Sequence, residues 1–307
     1  MEKDFHYFLT YALVKITGFK NSGIIAFASQ FVDDNNEGQF YIDGAMEAFP
    51  QRIANSGGYY YPIMTQSLSP KSLDPYVQKY VYVPFHFVPG DGSVVIGKKT
   101  NAFSTTPGSP VAVALLRQAL ESENPYQLGI ALHTFADTWS HQNFSGFHES
   151  WNSVYPWYNV FKSIVPNIGH AEAGHSPDVI SETWTDHRLK VDVVNSRRAF
   201  QATAEIFKAL RRKSGQGPFW TDIQKDFKRI INAPGYDERI RMIADLLSEQ
   251  GLGAIPDYKK DDWIDEALDR KDEKLGMHAG FENTHWYHFQ QAAKQQLALV
   301  MELTKEL

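Results

Sequence analysis

The chain has 307 residues, contains no cysteine and carries a formal net charge of −6 at neutral pH. A chain of this length buries enough apolar surface on folding to be stable without covalent cross-links. The missing cysteines exclude disulfide bridges and thiolate metal ligands, and the acidic balance argues against binding of double-stranded nucleic acid.

The beginning of the chain shows no export signal. Met1-Glu2-Lys3-Asp4 leads directly into a segment that carries His6 and Lys15. A secretory signal would need a basic start, an uninterrupted apolar run and a cleavage site of small residues. No stretch approaches the roughly 20 apolar residues of a membrane-spanning helix. We therefore expect a cytoplasmic protein without a transmembrane segment.

Two helices are predicted at the start of the chain. Residues 4–20 have apolar side chains at helical spacing, and His6 lies in the first turn. A second apolar segment, residues 24–32, ends at Asp33 and Asp34. Carboxylates at the C-terminal end of a helix oppose its macrodipole. This pair therefore needs another reason to lie there, and a bound cation would be one.

Helical periodicity disappears between about residues 37 and 105, where Gly, Pro, Ser, Tyr and Asn dominate. Within this irregular excursion, segments 80–83 and 93–96 are rich in strand-forming residues and predict a β-hairpin. Irregular stretches of this length inside a folded domain are usually functional. The excursion carries His86 between two phenylalanines, and an imidazole in such surroundings needs a polar partner or a metal.

Helical periodicity resumes after Pro107, and Asn124 and Pro125 predict the start of a further helix. Its segment 132–141 is the most informative in the chain. His133, Asp137 and His141 recur at steps of four on an apolar background, so their side chains form a ladder on one face.

The ladder has one functional and two structural interpretations. Unpaired polar groups in a protein interior cost several kcal/mol, and a divalent cation between His133, Asp137 and His141 would compensate for that cost. The same spacing also occurs on exposed polar helix faces. It occurs as well where a His–Asp hydrogen bond lies inside a helical core, and neither arrangement requires a metal.

Two further groups follow along the chain. Residues 169–178 bring His170, His175 and Asp178 together at a predicted helix start. A long helix predicted from about 184 to 212 carries His187 and Arg188, which could bind a substrate phosphate or take part in surface ion pairs. The remaining sequence predicts three or four more helices.

Imidazole and carboxylate ligands without thiolates are suited to zinc, manganese or iron. A single structural zinc would need only four ligands, drawn from close spacings. The candidate set is larger and more dispersed than that. In chain order it contains His6, Asp33 or Asp34, His86, His133, Asp137, His141, His170, His175 and Asp178.

The order of these residues resembles that in the zinc-dependent phospholipase C and single-strand-specific nuclease superfamily. Its members are all-helical hydrolases with a metal cluster in a cleft. In that family an early His is followed by an Asp, a His, a helical His-x3-Asp, another His, and a closing His with an acid one turn on. The resemblance covers roughly residues 4–180, and the local sequence is similar to an uncharacterised bacterial branch.

This resemblance implies a multi-helical single domain over residues 1–307. The metal cluster would lie in about residues 1–212, and a helical C-terminal part would span about 213–307. It also implies two or three zinc ions, with manganese or iron as alternatives, and Asp137 as a bridge between two of them. The family uses the amino group of an N-terminal Trp as a further ligand, where this chain has Met1.

The activity implied by the resemblance is hydrolysis of a small phosphate ester by metal-activated water. Whichever of Asp33 and Asp34 does not ligate would orient that water, while His187 and Arg188 would contact the substrate. A helical binding protein that is non-catalytic or holds a single metal is the alternative outside this reaction class. A phosphohydrolase of the His-Asp type is the other enzyme alternative, but no His-Asp dipeptide occurs in this sequence.

Overall fold

Helices account for most of the regular structure. The computed structural model describes residues 1–36, 53–55, 58–67, 70–155, 166–269 and 276–307. Its α-helices are α1 Thr10–Ile16, α2 Ser22–Asp34, α3 Pro75–Val77, α4 Val83–Phe85, α5 Pro110–Ser122, α6 Pro125–Ser140, α7 Asn195–Ser214, α8 Trp220–Ile231, α9 Tyr236–Glu249, α10 Asp262–Ala267 and α11 His285–Leu303. The expectation of a mainly α-helical fold is confirmed, and no helix among the described residues is long and apolar enough to cross a membrane.

Shorter helical pieces lie between these helices. The segments Asp4–Leu9 and Gln78–Tyr82 are π-helical, and they run directly into α1 and α4. Further 3-10 turns occur at Pro70–Leu73, Ser150–Asn152, Ala171–Ala173 and Phe281–Asn283.

The strands are short. A small sheet has the order β2-β1-β8-β7, in which β1 and β8 are parallel and the other neighbours are antiparallel. Two separate hairpins are formed by β3 with β4 and by β5 with β6. The strands are β1 Ile53–Asn55, β2 Gly58–Tyr60, β3 Val95–Ile96, β4 Lys99–Thr100, β5 Thr183–Asp186, β6 Val191–Val194, β7 Leu268–Asp269 and β8 Gly276–Met277.

The hairpin predicted between segments 80–83 and 93–96 is wrong. Residues 78–82 are π-helical, and Val95–Ile96 pairs instead with Lys99–Thr100. A short apolar run such as Val81-Tyr82-Val83 suits a buried helix as well as a buried strand, and all three side chains are buried here. Residues 37–52 of the predicted excursion lie outside the described residues.

The long helix predicted from about residue 184 is also wrong at its start. Residues 183–194 form the β5–β6 hairpin, and α7 begins only at Asn195. The β-branched residues of this segment favour strands. Its turn is closed by the Asp186 carboxylate, which accepts the Arg188 backbone N–H at 3.0 Å, and Lys190 adopts a left-handed backbone conformation.

Helix α6 lies at the centre of the fold, with α2, α5, α7 and α11 packed around it. As predicted, Asn124 caps its first turn by accepting the backbone N–H groups of Tyr126 and Gln127. Gly129 allows α2 to approach closely, because a Cβ there would lie 2.4 Å from the Ile25 carbonyl oxygen. This close crossing brings the last turn of α2, with Asp33, towards the ladder on α6.

The C-terminal helices pack directly onto this centre. Gln296 of α11 donates to the Pro84 carbonyl and to the Thr134 hydroxyl, which lie at the end of α4 and in α6. The Tyr7 hydroxyl donates to the Pro256 carbonyl at 2.8 Å. Buried apolar side chains from Phe5 to Val300 belong to one continuous core cluster. The part of the chain beyond residue 212 therefore supports the same core as the predicted ligands.

Candidate metal centre

Eight of the predicted ligands converge at one end of α6. They come from the first π-helical segment, from α2, from the residue after α4, from α6 and its C-cap, and from the segment around Ala171–Ala173. Their ligand atoms form three groups in which all atoms lie within 4.8 Å of one another. The groups are His6, His133 and Asp137; Asp33, His86 and His133; and His141, His170 and Asp178. The structure thus contains His and Asp groups able to hold a divalent cation.

Asp137 is the shared centre of this cluster, and its side chain is fully buried. Its Oδ1 atom lies 3.1 Å from Nε2 of His6, and its Oδ2 atom lies 3.1 Å from Nε2 of His133 and 3.2 Å from Nδ1 of His86. Burial opposes ionisation of this carboxyl, but the surrounding imidazoles and the Met1 amino group outweigh it. The pKa of Asp137 is therefore held well below its usual value.

The hydrogen bonds of His86 determine which of its ring nitrogens carries the proton. Its Nε2 lies 2.8 Å from the Thr65 carbonyl oxygen, which can only accept, so Nε2 carries the hydrogen. In the neutral ring, Nδ1 then presents a lone pair to Oδ2 of Asp137 at 3.2 Å. Two acceptors face each other at this distance. A cation between them would satisfy both, as would a hydrogen on Nε2 of His133, which lies 3.2 Å from Nδ1 of His86 and 3.1 Å from Oδ2 of Asp137.

The same arrangement occurs twice around Asp178. His141 and His170 each place Nδ1 on a carbonyl oxygen, of His86 at 3.0 Å and of Gly174 at 2.9 Å. Their Nε2 atoms therefore present lone pairs to the Asp178 carboxylate, at 3.0 Å and 3.2 Å. Burial lowers the pKa of His170. Protonation of that ring, which would remove the repulsion between its lone pair and the Asp178 carboxylate, is therefore unfavourable.

His6 and His133 stack with their ring centroids 3.9 Å apart. Both rings are buried, and among the described residues Nδ1 of each has no hydrogen-bond partner. His6 Nε2 is near Asp137 but is not aligned for a hydrogen bond. Burial lowers the pKa of His133 to about 4 and that of His6 well below its usual value. Neutral imidazoles with unused lone pairs are the form that binds metals.

The Met1 amino nitrogen also lies in the cluster, a position that the sequence did not predict. It is 2.7 Å from Oδ1 of Asp137 and 3.2 Å from Oδ1 of Asp178. Burial lowers its pKa, but the two carboxylates outweigh burial and raise it to about 11. A positive charge therefore stands between the two carboxylates.

The structure separates Asp33 from Asp34. Asp33 Oδ1 lies 3.7 Å from Nε2 of His133 and 3.9 Å from Nδ1 of His86, and about a quarter of its side chain is exposed. Asp34 instead accepts hydrogen bonds from the Tyr258 hydroxyl at 2.6 Å and from Gln30 at 3.2 Å. Burial and the nearby Asp137 carboxylate raise the pKa of Asp33 well above its usual value. Asp33 therefore belongs to the cluster, and Asp34 lies beside it.

Of the two histidines predicted for the closing position, His170 lies 3.2 Å from the Asp178 carboxylate. The imidazole of His175 is 90% exposed and lies 3.9 Å from Glu2. The guanidinium of Arg188 pairs with the buried Asp186 carboxylate and donates to the carbonyl oxygens of Asn143 and Trp151. Neither His187 nor Arg188 lines the cavity beside the cluster. Their contact with a substrate stays a prediction.

A cavity of about 730 Å³ opens directly onto the cluster. Asp33, Asp137 and Asp178 line it together with His86, His141 and His170, and Asp34 and His175 reach its wall. Its other lining residues include Phe87, whose ring stacks on His141 with 4.6 Å between centroids, and Tyr236 from the first turn of α9. The position of Phe87 next to His86 was a usable sequence signal, whereas Tyr236 had none.

A family model described as "Family of unknown function (DUF6765)" matches residues 1–304. No curated protein and no solved structure matches the chain.

Proposed function

We propose that this chain, which belongs to the family of unknown function DUF6765, is a metal-dependent hydrolase of phosphate esters. One observation carries the proposal. Imidazole lone pairs of His86, His141 and His170 face the Asp137 and Asp178 carboxylates at 3.0–3.2 Å, beside an open cavity. Divalent cations would satisfy all of these groups together.

The ligand set supports two ions or three. His133 occurs in two of the three groups, and a single imidazole nitrogen binds one ion. His6, Asp33, His86, His133 and Asp137 would therefore hold one or two ions, and His141, His170 and Asp178 would hold another. Zinc suits imidazole and carboxylate ligands, with manganese and iron as alternatives.

The carbonyl partners of His86, His141 and His170 fit this assignment. A metal-binding His usually donates its other N–H to a carbonyl or carboxylate, which fixes the tautomer and the ring orientation. Thr65, His86 and Gly174 supply such carbonyls here. The rings are thus oriented with their free lone pairs towards the Asp137 and Asp178 carboxylates.

Bound divalent cations would supply Lewis acidity, which polarises a phosphoryl group and acidifies water. The residues of the chain would transfer the protons and hold the ions in place. Asp33, the most exposed carboxylate of the cluster, would contribute one oxygen to an ion. With its other oxygen it would accept a proton from the attacking water as the water oxygen bonds to phosphorus. The P–O bond of the ester breaks, and the departing oxygen takes up a proton from solvent in the open cavity to leave as the alcohol, while Asp33 returns its proton to solvent. Asp137 and Asp178 would hold their charge throughout.

The cavity favours hydrolysis over metal storage. A structural zinc site is closed by four protein ligands, whereas the Asp33, Asp137 and Asp178 carboxylates all border a space of about 730 Å³. That volume suits a small ligand. We therefore propose a small phosphate mono- or diester as the substrate, rather than a polymer.

Metal analysis of the purified protein tests the proposal first. The tag belongs at the C-terminus, because Leu307 is exposed whereas Met1 is buried. We expect two or three equivalents of a divalent metal per chain, and hydrolysis of chromogenic nitrophenyl phosphate esters.

Asp137→Asn should remove at least one equivalent and reduce turnover by a factor of about 10³ or more. The matched control is Asp192→Asn, which alters an exposed carboxylate of the β5–β6 hairpin. Wild-type protein without metal, or turnover unchanged by Asp137→Asn, would contradict the proposal. One tightly held ion without turnover would favour a structural role.

A further inference from the structure

We propose that Arg239 and Asp4 form a positioning pair that holds the segment carrying His6 against the metal centre. The inference rests on the proposed function, since it assigns residues of the C-terminal part a role at that same centre. Asp4 and Arg239 are 235 positions apart in the chain, and each is only 2% exposed.

Both carboxylate oxygens of Asp4 have a hydrogen-bond donor. Asp4 Oδ2 accepts a charge-assisted hydrogen bond from Nη1 of Arg239, and Asp4 Oδ1 accepts the backbone N–H of Phe5 at 2.9 Å. Nη2 of Arg239 donates to the Ala233 carbonyl at 3.2 Å. Removing one partner of such a buried pair leaves an uncompensated charge. The pair therefore fixes the start of the π-helical segment to α9.

His6 lies on the opposite side of the same segment. Two positions along an α-helix are separated by about 200°, and by somewhat less on the wider π-helix. Asp4 accordingly contacts α9, while His6 stacks on His133 of α6. The ion pair thus holds the side of the segment that faces α9, and the imidazole projects from the opposite side towards Asp137.

His6 depends on this anchor more than the other ligands do. His86, His141 and His170 are each oriented by a carbonyl oxygen on the second ring nitrogen. Within the described part of the chain, Nδ1 of His6 has no such partner. Nδ1 of His133 also has no hydrogen-bond partner within the described part of the chain, but His133 lies in the middle of the long helix α6, which fixes its backbone. The direction of the His6 ring is therefore set by the backbone that Asp4 holds.

The first turn of α9 also borders the site itself. Tyr236 lines the cavity, and its ring meets that of Phe8 edge to face at 6.4 Å between centroids. Arg239 lies one turn further along the same helix. A displacement of this turn would therefore change the cavity wall and the His6 segment together.

The variant Asp4→Asn tests the pair. Asparagine keeps the shape and the acceptor for the Phe5 N–H. It removes the charge, and it replaces the acceptor for Nη1 of Arg239 with an NH2 donor. We expect one of the bound zinc ions to bind about 10–100-fold more weakly, the loss typical of outer-sphere partners of metal ligands. Replacing zinc with cobalt should show a changed visible absorption spectrum, and Arg239→Lys, which keeps the charge, should restore most of the affinity that Arg239→Met loses.

Arg241→Met is the matched control. Arg241 lies on the same helix, and its guanidinium forms an exposed ion pair with Glu238. Its loss should leave zinc affinity and the cobalt spectrum unchanged. Folding of every variant is checked by thermal melting. Folded Asp4→Asn protein with wild-type affinity and spectrum would overturn the inference, as would an equal loss in Arg241→Met.

Hydrogen exchange of wild-type protein tests the inference even if the variants do not fold. We expect zinc to slow exchange in peptides from residues 4–9 and 236–241 together, and to leave residues 223–231 of α8 unchanged. Protection of 4–9 without 236–241 would overturn it. Wild-type protein that binds no metal refutes the proposed function as well, whereas metal binding that is indifferent to Asp4 and Arg239 refutes only the positioning pair.

Discussion

Nδ1 of His86 lies 3.2 Å from Oδ2 of Asp137, although the same ring already donates through Nε2 to the Thr65 carbonyl. The neutral ring therefore directs a lone pair at a carboxylate. Asp178 meets the lone pairs of two further imidazoles in the same way. A protein interior tolerates such pairs only with a proton or a cation between them, and two cations, one beside Asp137 and one beside Asp178, would resolve all three.

Removal of metal should lower the stability of the protein. A ligand at about 100 times its dissociation constant stabilises the folded state by about 2.7 kcal/mol, and each kcal/mol shifts Tm by roughly 2–4 °C in a large domain. We therefore expect chelation to lower Tm by several degrees and added zinc to restore it. The measurement is differential scanning calorimetry with and without EDTA, and equal melting temperatures would contradict the prediction.

His170→Ala and His175→Ala should differ sharply. His170 contacts the Asp178 carboxylate, whereas His175 is 90% exposed. We expect the first variant to lose about one metal equivalent and the second to keep the wild-type content. Elemental analysis of both proteins, purified side by side, decides the matter. Equal metal content in the two variants would remove His170 from the ligand set.

The two neighbouring carboxylates should also separate in function. Asp33→Asn removes the carboxylate that faces His86 and His133, so turnover should fall by a factor of about 10² or more, in the range of a lost general base. Asp34→Asn alters a group held by Tyr258 and Gln30, and we expect less than a tenfold effect. Initial rates with a nitrophenyl phosphate ester give the comparison. The reverse ranking would assign the proton transfer to Asp34.

Gly129→Ala should loosen the crossing of α2 and α6. The added Cβ would lie 2.4 Å from the Ile25 carbonyl oxygen and 2.5 Å from the Ala28 Cβ, and overpacking of this kind costs about 1–3 kcal/mol. We expect a lower free energy of unfolding together with weaker metal binding, because Asp33 moves away from His133. Gly23→Ala is the control, since its Cβ meets only Pro256, at 3.8 Å, and helix propensity favours alanine. Urea denaturation measures both.

Alkaline pH should destabilise the protein partly through Tyr126. Burial raises the pKa of Tyr126 to about 12, above its ordinary value of 10.0. Below pH 10 the phenol is neutral in both folded and unfolded chains, so its contribution to stability is fully present. As pH rises from about 10 to 12, the unfolded chain ionises first and that contribution is lost. Tyr126→Phe should therefore lose less stability over this interval than wild type, as measured by urea denaturation at each pH.

The helical spacing in the sequence was sufficient to predict the core of the site. Steps of four on an apolar background predict that His133, Asp137 and His141 lie on one side of a helix, and they do so along α6 and its C-cap, His141. The choice between Asp33 and Asp34 could not be made in the same way. It depends on Tyr258, 224 positions away from Asp34, and a contact of that range leaves no periodic signal.

The secondary-structure prediction was wrong where the local composition suits both a helix and a strand. Val81-Tyr82-Val83 favours a strand by propensity, yet tertiary packing buries it in a helical run. Residues 183–194 contain a charged stretch that resembles a helix face, but Asp186 closes a hairpin turn there. The Asp4–Arg239 pair joins two unremarkable charges, so only the folded chain identifies it.

His86 contributes to both ends of the candidate metal centre, the end at Asp137 and the end at Asp178. Its ring lies beside Asp137, and its carbonyl oxygen accepts a hydrogen bond from Nδ1 of His141. A shift of this one residue that improves the fit of an ion at the first end also reorients a ligand at the second. Filling of the two ends is therefore coupled, and titration with zinc should be cooperative rather than a sum of independent steps.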